Sequence, residues 1–159
     1  MKKVEIYTDG ACTGNPGKGG YGAILVYNGK EKRISRGFCK TTNNRMELLA
    51  AIDALLLLKE PCNVDLYSDS KYLTDAINKG WLVSWIKNGW KKADKKRVLN
   101  VDLWTSLSEL LEKHNVNFIW VKGHAGHKYN ELCDKMAVEA YTVSATCVDE
   151  EYEKTQVNM

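Results

Sequence analysis

Proline is scarce in this 159-residue chain, with only two residues, and the five cysteines contain no CxxC pair. An odd set of thiols (Cys12, Cys39, Cys62, Cys133, Cys147) argues against a disulfide framework and against a structural zinc ribbon. Reduced thiols in the cytoplasm fit better. No apolar run approaches the about 20 residues that a spanning helix needs. Residues 54–58 are an apolar stretch that stops at Lys59, so the chain is not expected to cross a membrane. Glu5 and Asp9 interrupt any leader-like segment behind Lys2 and Lys3, and no secretory signal is expected. Neither sign of charge dominates, with 23 Lys and Arg against 20 Asp and Glu. What is present, 44% hydrophobic residues and modest glycine, suits one globular domain and excludes collagen-like and strongly charged disordered classes. A monomer is the default expectation.

Residues 3–9 alternate Val4, Ile6 and Thr8 against Glu5, Tyr7 and Asp9, the period of a strand that ends on an aspartate. Glycines 10, 14, 17, 19 and 20 with Pro16 predict a loop. Residues 21–27 and 34–39 flank Asn28-Gly29, a dipeptide suited to a tight hairpin turn, so two antiparallel strands are expected next. Thr42-Asn43-Asn44 offers cap chemistry before a helix over 46–59, which Pro61 stops. A buried strand over 64–68, ending at Asp69, precedes a second helix through Tyr72, Leu73, Ala76 and Ile77. A short helix over 81–87 and a helix capped by Asn100 follow, then a strand over 116–121 and a helix near 129–143. The expected architecture is an α/β domain with a five-stranded mixed sheet, three antiparallel strands and then parallel additions, and helices on its faces. Residues 148–159 carry four acids and one lysine with no apolar stripe, so the segment 143–159 is read as an acidic, frayed tail outside a domain of residues 1–142.

Asp9 and Asp69 each sit at the C-terminal end of a predicted strand, the edge where ligand sites form in α/β sheets. Glu47, near the start of the first helix, and Asp134, near the start of the last, can join them if those helices pack over that edge. Carboxylates gathered without basic partners repel one another and bind hard cations through oxygen. The plainer reading makes each acid a solvated strand end or cap. A glycine-rich nucleotide loop at residues 10–20 is disfavoured, because the loop enters a strand and lacks the Gly-Lys-Ser/Thr ending. A zinc site from His124, His127 and Cys133 lacks a fourth ligand. His114 and His127 carry no assigned role.

Over residues 1 to about 142 the chain resembles type 1 ribonuclease H. The resemblance rests on Tyr7-Thr8-Asp9-Gly10 with Gly14-Asn15-Pro16-Gly17, on residues 41–47 (Thr-Thr-Asn-Asn-Arg-Met-Glu), on Ser68-Asp69-Ser70, and on residues 120–127 (Trp-Val-Lys-Gly-His-Ala-Gly-His) leading to Asp134. It implies that Asp9, Glu47, Asp69 and Asp134 hold two Mg²⁺ ions, with Mn²⁺ as a substitute, and that His124 passes protons. The implied reaction is hydrolysis of the RNA strand of an RNA–DNA hybrid, leaving 5′-phosphate and 3′-hydroxyl ends. An imidazole titrates near neutrality, as a proton carrier there requires. By the same resemblance Cys12, Asn15, Thr42, Asn43, Asn44 and Arg45 lie against the substrate, with Thr42 and Arg45 near a DNA phosphate. The amides of Asn15, Asn43 and Asn44 can both donate and accept, as contact with 2′-hydroxyls and base edges demands, although Asn43 and Asn44 are also candidate helix caps. Lys71 departs from an amide found in some relatives.

Residues 81–97 concentrate cations: Lys87, Lys91, Lys92, Lys95, Lys96 and Arg97 face one acid, Asp94, which leaves the rest of the chain net negative. Such a patch suits phosphate-backbone contact and salt-dependent binding, and resembles the family's basic protrusion. Trp81 and Trp85, four residues apart, suit either base stacking or core packing. A noncatalytic hybrid-binding module on the same fold is the alternative function, and the presence of all four acids speaks against it.

Overall fold

The alternating segment at the N-terminus becomes β1 (Lys2–Cys12), in a computed structural model that describes residues 1–123 and 125–157. β2 (Gly17–Tyr27) and β3 (Lys30–Thr41) follow as an antiparallel hairpin. Asn28 and Gly29 both adopt positive φ, as the tight turn requires. Then come α1 (Asn43–Leu56), β4 (Cys62–Ser68), α2 (Lys71–Asn78), α3 (Trp81–Lys87), α4 (Val101–Lys113), β5 (Asn115–Trp120) and α5 (Lys128–Ser144). From one edge the sheet runs β5-β4-β1-β2-β3, with β1 antiparallel to β2 but parallel to β4, and β4 parallel to β5. The expected five strands and their directions are present. A sixth strand, β6 (Ala145–Cys147), adds to the β3 edge in parallel.

One face of the sheet packs under α1 and α4, where Val4, Ile6, Leu48, Ile52, Val64, Leu66, Trp104 and Leu107 form the main core. Each such side chain contributes on the order of 1.5–3 kcal/mol by leaving water. α5 covers the other face over β1, β2 and β3. Its approach explains where the sequence reading of residues 10–20 departs from the structure. Gly17, Gly19 and Gly20 belong to β2, not to a loop, and the connection shrinks to residues 13–16. Glycine is a poor strand former, but at Gly20 of this strand a Cβ would lie 2.7 Å from the Ala137 carbonyl of α5. Close helix contact, not turn formation, accounts for this glycine.

The C-terminal segment also departs from expectation. Instead of fraying after residue 143, the chain forms β6 and then α6 (Glu150–Val157), and Asp149 between them is buried. Its partners lie about a hundred residues earlier, where no local pattern could reveal them. No helix among the described residues is long and apolar enough to cross a membrane.

Candidate active site

β1 loses its β4 partner after Tyr7, so Asp9 stands where the parallel part of the sheet ends. Asp69 follows the last residue of β4 directly. Glu47 comes from the first turns of α1, whose start is set by Thr42: its Oγ1 accepts from the Arg45 amide at 3.2 Å. Thr42 is therefore the cap, and Asn43 and Asn44, the other candidates, are the first helical residues. Losing such a cap costs about 1 kcal/mol. Gly10 brings Glu47 onto Asp9, since a Cβ there would lie 2.7 Å from the Glu47 amide nitrogen. The Gly10 amide reaches both carboxylates, with Asp9 Oδ1 and Glu47 Oε1 each at 2.9 Å. Ser68 Oγ donates to Glu47 Oε2 at 3.4 Å, and Trp120 Nε1 donates to the Asp69 carbonyl at 3.0 Å.

The ligand oxygens of Asp9, Glu47 and Asp69 all lie within 4.8 Å of one another. Asp134 lines the same cavity of about 500 Å³ but stands outside that cluster. Asp9 and Glu47 are nearly inaccessible to solvent, at 7% and 2% exposure. Among the described residues none of these acids has an ion-pair partner. Burial, followed by the charges of Glu47 and Asp69, pushes the Asp9 carboxyl far above the ordinary carboxylate range. Burial and Asp69 raise Glu47 as well, against the hydrogen bonds from Gly10 and Ser68. Three clustered carboxylates without a basic partner are balanced by protons or by hard cations, and their all-oxygen donor set fits a divalent ion. His124, the expected proton carrier, lies outside the described residues. The zinc alternative loses Cys133, which is buried with its thiol donating to the Tyr7 carbonyl at 3.3 Å.

Cys12, Asn43, Asn44 and Lys71 border the carboxylate cavity. Asn15 Oδ1 accepts from the Asn43 amide at 3.0 Å, which ties the residue 13–16 connection to the head of α1. Lys71, at the start of α2, places its Nζ 4.8 Å from the centre of the exposed Trp120 ring. Arg45, expected beside a DNA phosphate, is instead buried. Its five N–H donors all go to Asp102, Asp149 and Asn100 at 2.7–3.2 Å, so no donor remains for phosphate. Burial opposes the guanidinium charge, but the hydrogen bonds to Asp102 and Asp149 hold its pKa above the ordinary value.

Lys87, Lys91, Lys92, Lys95 and Lys96 are exposed, and a Lys91–Arg97 bridge folds their segment into a compact loop. Trp85 meets Trp104 edge to face with centroids 5.6 Å apart, packed against the core. Its ring is therefore spent inward, whereas Trp81 remains 42% exposed. Sequence reasoning missed Asp102 and Asp149 as partners of Arg45, and gave Trp120 no role of its own.

A family model described as RNase H matches residues 1–142. The chain belongs to the ribonuclease H family. Its similarity to the Ribonuclease H of Rippkaea orientalis is 56% identity over 96% of this chain and 93% of that protein. The Ribonuclease H of Mesorhizobium japonicum is 61% identical over 87% of this chain and 77% of the relative. Among solved structures, LC9-RNase H1, a type 1 RNase H with the type 2 active-site motif, is 32% identical with a TM-score of 0.78 over 89% of this chain and 73% of that one. Membership of the ribonuclease H family makes the chain a nuclease and hydrolase, and places the carboxylate cavity on a fold built for that chemistry.

Proposed function

We propose that the protein is an endonuclease that hydrolyses the RNA strand of RNA–DNA hybrids, leaving 5′-phosphate and 3′-hydroxyl ends. The observation that carries this reading is the carboxylate triad at the sheet edge, bordered by the amides of Asn43 and Asn44. Asp9, Glu47 and Asp69, with Asp134 on the same cavity, would hold two Mg²⁺ ions or Mn²⁺ in their place. When bound, such ions supply a water of lowered pKa and neutralise charge on the departing oxygen. The Gly10 amide and Ser68 hydroxyl fix the carboxylates so that little reorganisation is needed when they act. Asn15, Asn43 and Asn44 meet the wide minor groove of the hybrid, and Cys12 and Thr42 lie beside them. Lys87, Lys91, Lys92, Lys95 and Lys96 meet backbone phosphates, with Trp81 on the same exposed surface. His124 carries the proton transfer that the family resemblance implies. The five free thiols suit the reducing cytoplasm, where the protein acts as a monomer.

The test is cleavage of four matched labelled substrates (RNA–DNA, RNA–RNA, DNA–DNA and single-stranded RNA) with Mg²⁺ and with EDTA. Cutting confined to the RNA of the hybrid, and only with metal, is the expected result. Hybrid binding with no cutting would overturn the catalytic reading in favour of a binding module.

A further inference from the structure

The segment after residue 142 lies beyond the matched family region, yet it reaches back to the head of α1. Asp149, only 9% exposed, accepts from Thr41 Oγ1 and Arg45 Nε at 2.7 Å each, and from a second Arg45 nitrogen at 3.0 Å. Thr41 and Arg45 bracket residues 42–44, the stretch that presents Thr42, Asn43 and Asn44. On its other side the same guanidinium grips Asp102 and Asn100, which follow the basic segment. One buried cation thus joins three parts of the chain: the amide-bearing head of α1, the start of α4 behind the lysines, and the C-terminal segment. A cleft of about 680 Å³ shows the consequence, because Asn15, Thr42 and Asn44 share its wall with Arg97 and with Glu151 of α6.

We propose that Asp149 is a positioning residue for the hybrid, holding the amide stretch 42–44 at a fixed spacing from the basic segment through Thr41 and Arg45. The inference rests on the hybrid-nuclease reading above and adds the C-terminal segment to its substrate-binding apparatus. Without this carboxylate, the Thr41 hydroxyl, two guanidinium N–H groups and the Tyr152 amide lose this partner, and the guanidinium is held only by Asp102 and Asn100. The first turn of α1 is then free to shift against the lysines, and displacements near 1 Å are costly for a rigid duplex that both surfaces grip. None of the hydrogen bonds of Asp149 reaches the carboxylate triad, so the effect falls on substrate capture and not on the chemical step.

The full-length variants Asp149→Asn and Thr41→Val, with Glu150→Gln as a control on the same segment, are assayed well below each melting temperature. KM and kcat are measured on a labelled hybrid, and Kd by fluorescence anisotropy in an Asp9→Asn background. Asp149→Asn is expected to raise KM and Kd by about tenfold and Thr41→Val by about threefold, with kcat within about twofold of wild type. Glu150→Gln, at an exposed position, leaves all three unchanged. If Asp149→Asn does not fold, Thr41→Val decides alone. Lowered melting with unchanged KM and Kd makes the contact merely structural and overturns the proposal, as does a parallel fall in kcat. A wild-type protein that cuts no hybrid defeats the nuclease reading itself, a result distinct from wild-type cutting with a silent Asp149→Asn.

Discussion

Asp9 and Glu47 share one backbone donor, the Gly10 amide, and their proximity governs how the site responds to protons and metal. Both carboxyls are raised by burial and then by neighbouring charge, Glu47 and Asp69 beside Asp9 and Asp69 beside Glu47, so the metal-free site retains protons that a divalent ion must displace. The sign follows: as pH falls, protons compete more strongly and more metal is needed. Mg²⁺ titrations of cleavage between about pH 6 and about pH 8 are expected to show half-saturation shifting to lower metal concentration as pH rises. A pH-independent half-saturation would contradict the raised carboxyls. Asp9→Asn and Asp69→Asn are each expected to lower kcat by more than the ~100-fold that outer-shell changes cost, with hybrid binding retained. Near-normal turnover in both would remove the triad from catalysis. Away from the site, His114 is buried with Nδ1 accepting from the Cys62 amide at 3.1 Å, while its Nε2 has no partner among the described residues. Burial, then the Lys113 charge, lowers its pKa. The unfolded chain takes up a proton near pH 6.5 that the folded imidazole refuses, so this contribution to stability is full above about pH 6.5 and declines as pH falls toward the folded value. Denaturant titrations across that window should show a smaller loss for His114→Gln than for wild type.

At the scale of elements, the basic segment after α3 is an exposed loop whose lysines have no ion-pair partner among the described residues. Neutralising Lys91, Lys92, Lys95 and Lys96 together is expected to raise KM with little change in kcat. It should also flatten the dependence of log KM on log salt by about 0.7–0.9 for each phosphate no longer neutralised by a lysine. An unchanged salt slope would take this loop out of the substrate path. The loop was readable from sequence because charge density needs no fold to be noticed, and so was the hairpin, because Asn28-Gly29 states its turn locally. The place of Gly20 in β2 was not, since its reason is the helix α5 packed on it from over a hundred residues away. Arg45 was misplaced for a similar cause: the family resemblance put it near a phosphate, and only the fold reveals Asp102 and Asp149 around it. Asp69 was legible just past its strand and Asp9 on an alternating run that β1 in fact carries on to Cys12, whereas the separation of Asp134 from the other three acids depends on how α5 sits.

Taken as a whole, the proposed chemistry and the proposed grip sit on different parts of the molecule. β1 is hydrogen-bonded on both flanks, to β2 and β4, with α1 on one face and α5 on the other. Amide hydrogens in such a strand exchange with solvent only through near-global opening, while those of exposed turns exchange through local fluctuation. Deuterium uptake measured by mass spectrometry is therefore expected to be slowest at residues 4–8 and orders of magnitude faster at residues 91–97. Comparable rates in the two stretches would refute this division. Its consequence is a difference in compliance: on the proposed reading the lysines at the tip of the loop flex to follow irregular backbones, while the base of the loop stays tied to Arg45 through Asn100 and Asp102 and Asp9 rides on the last strand to open.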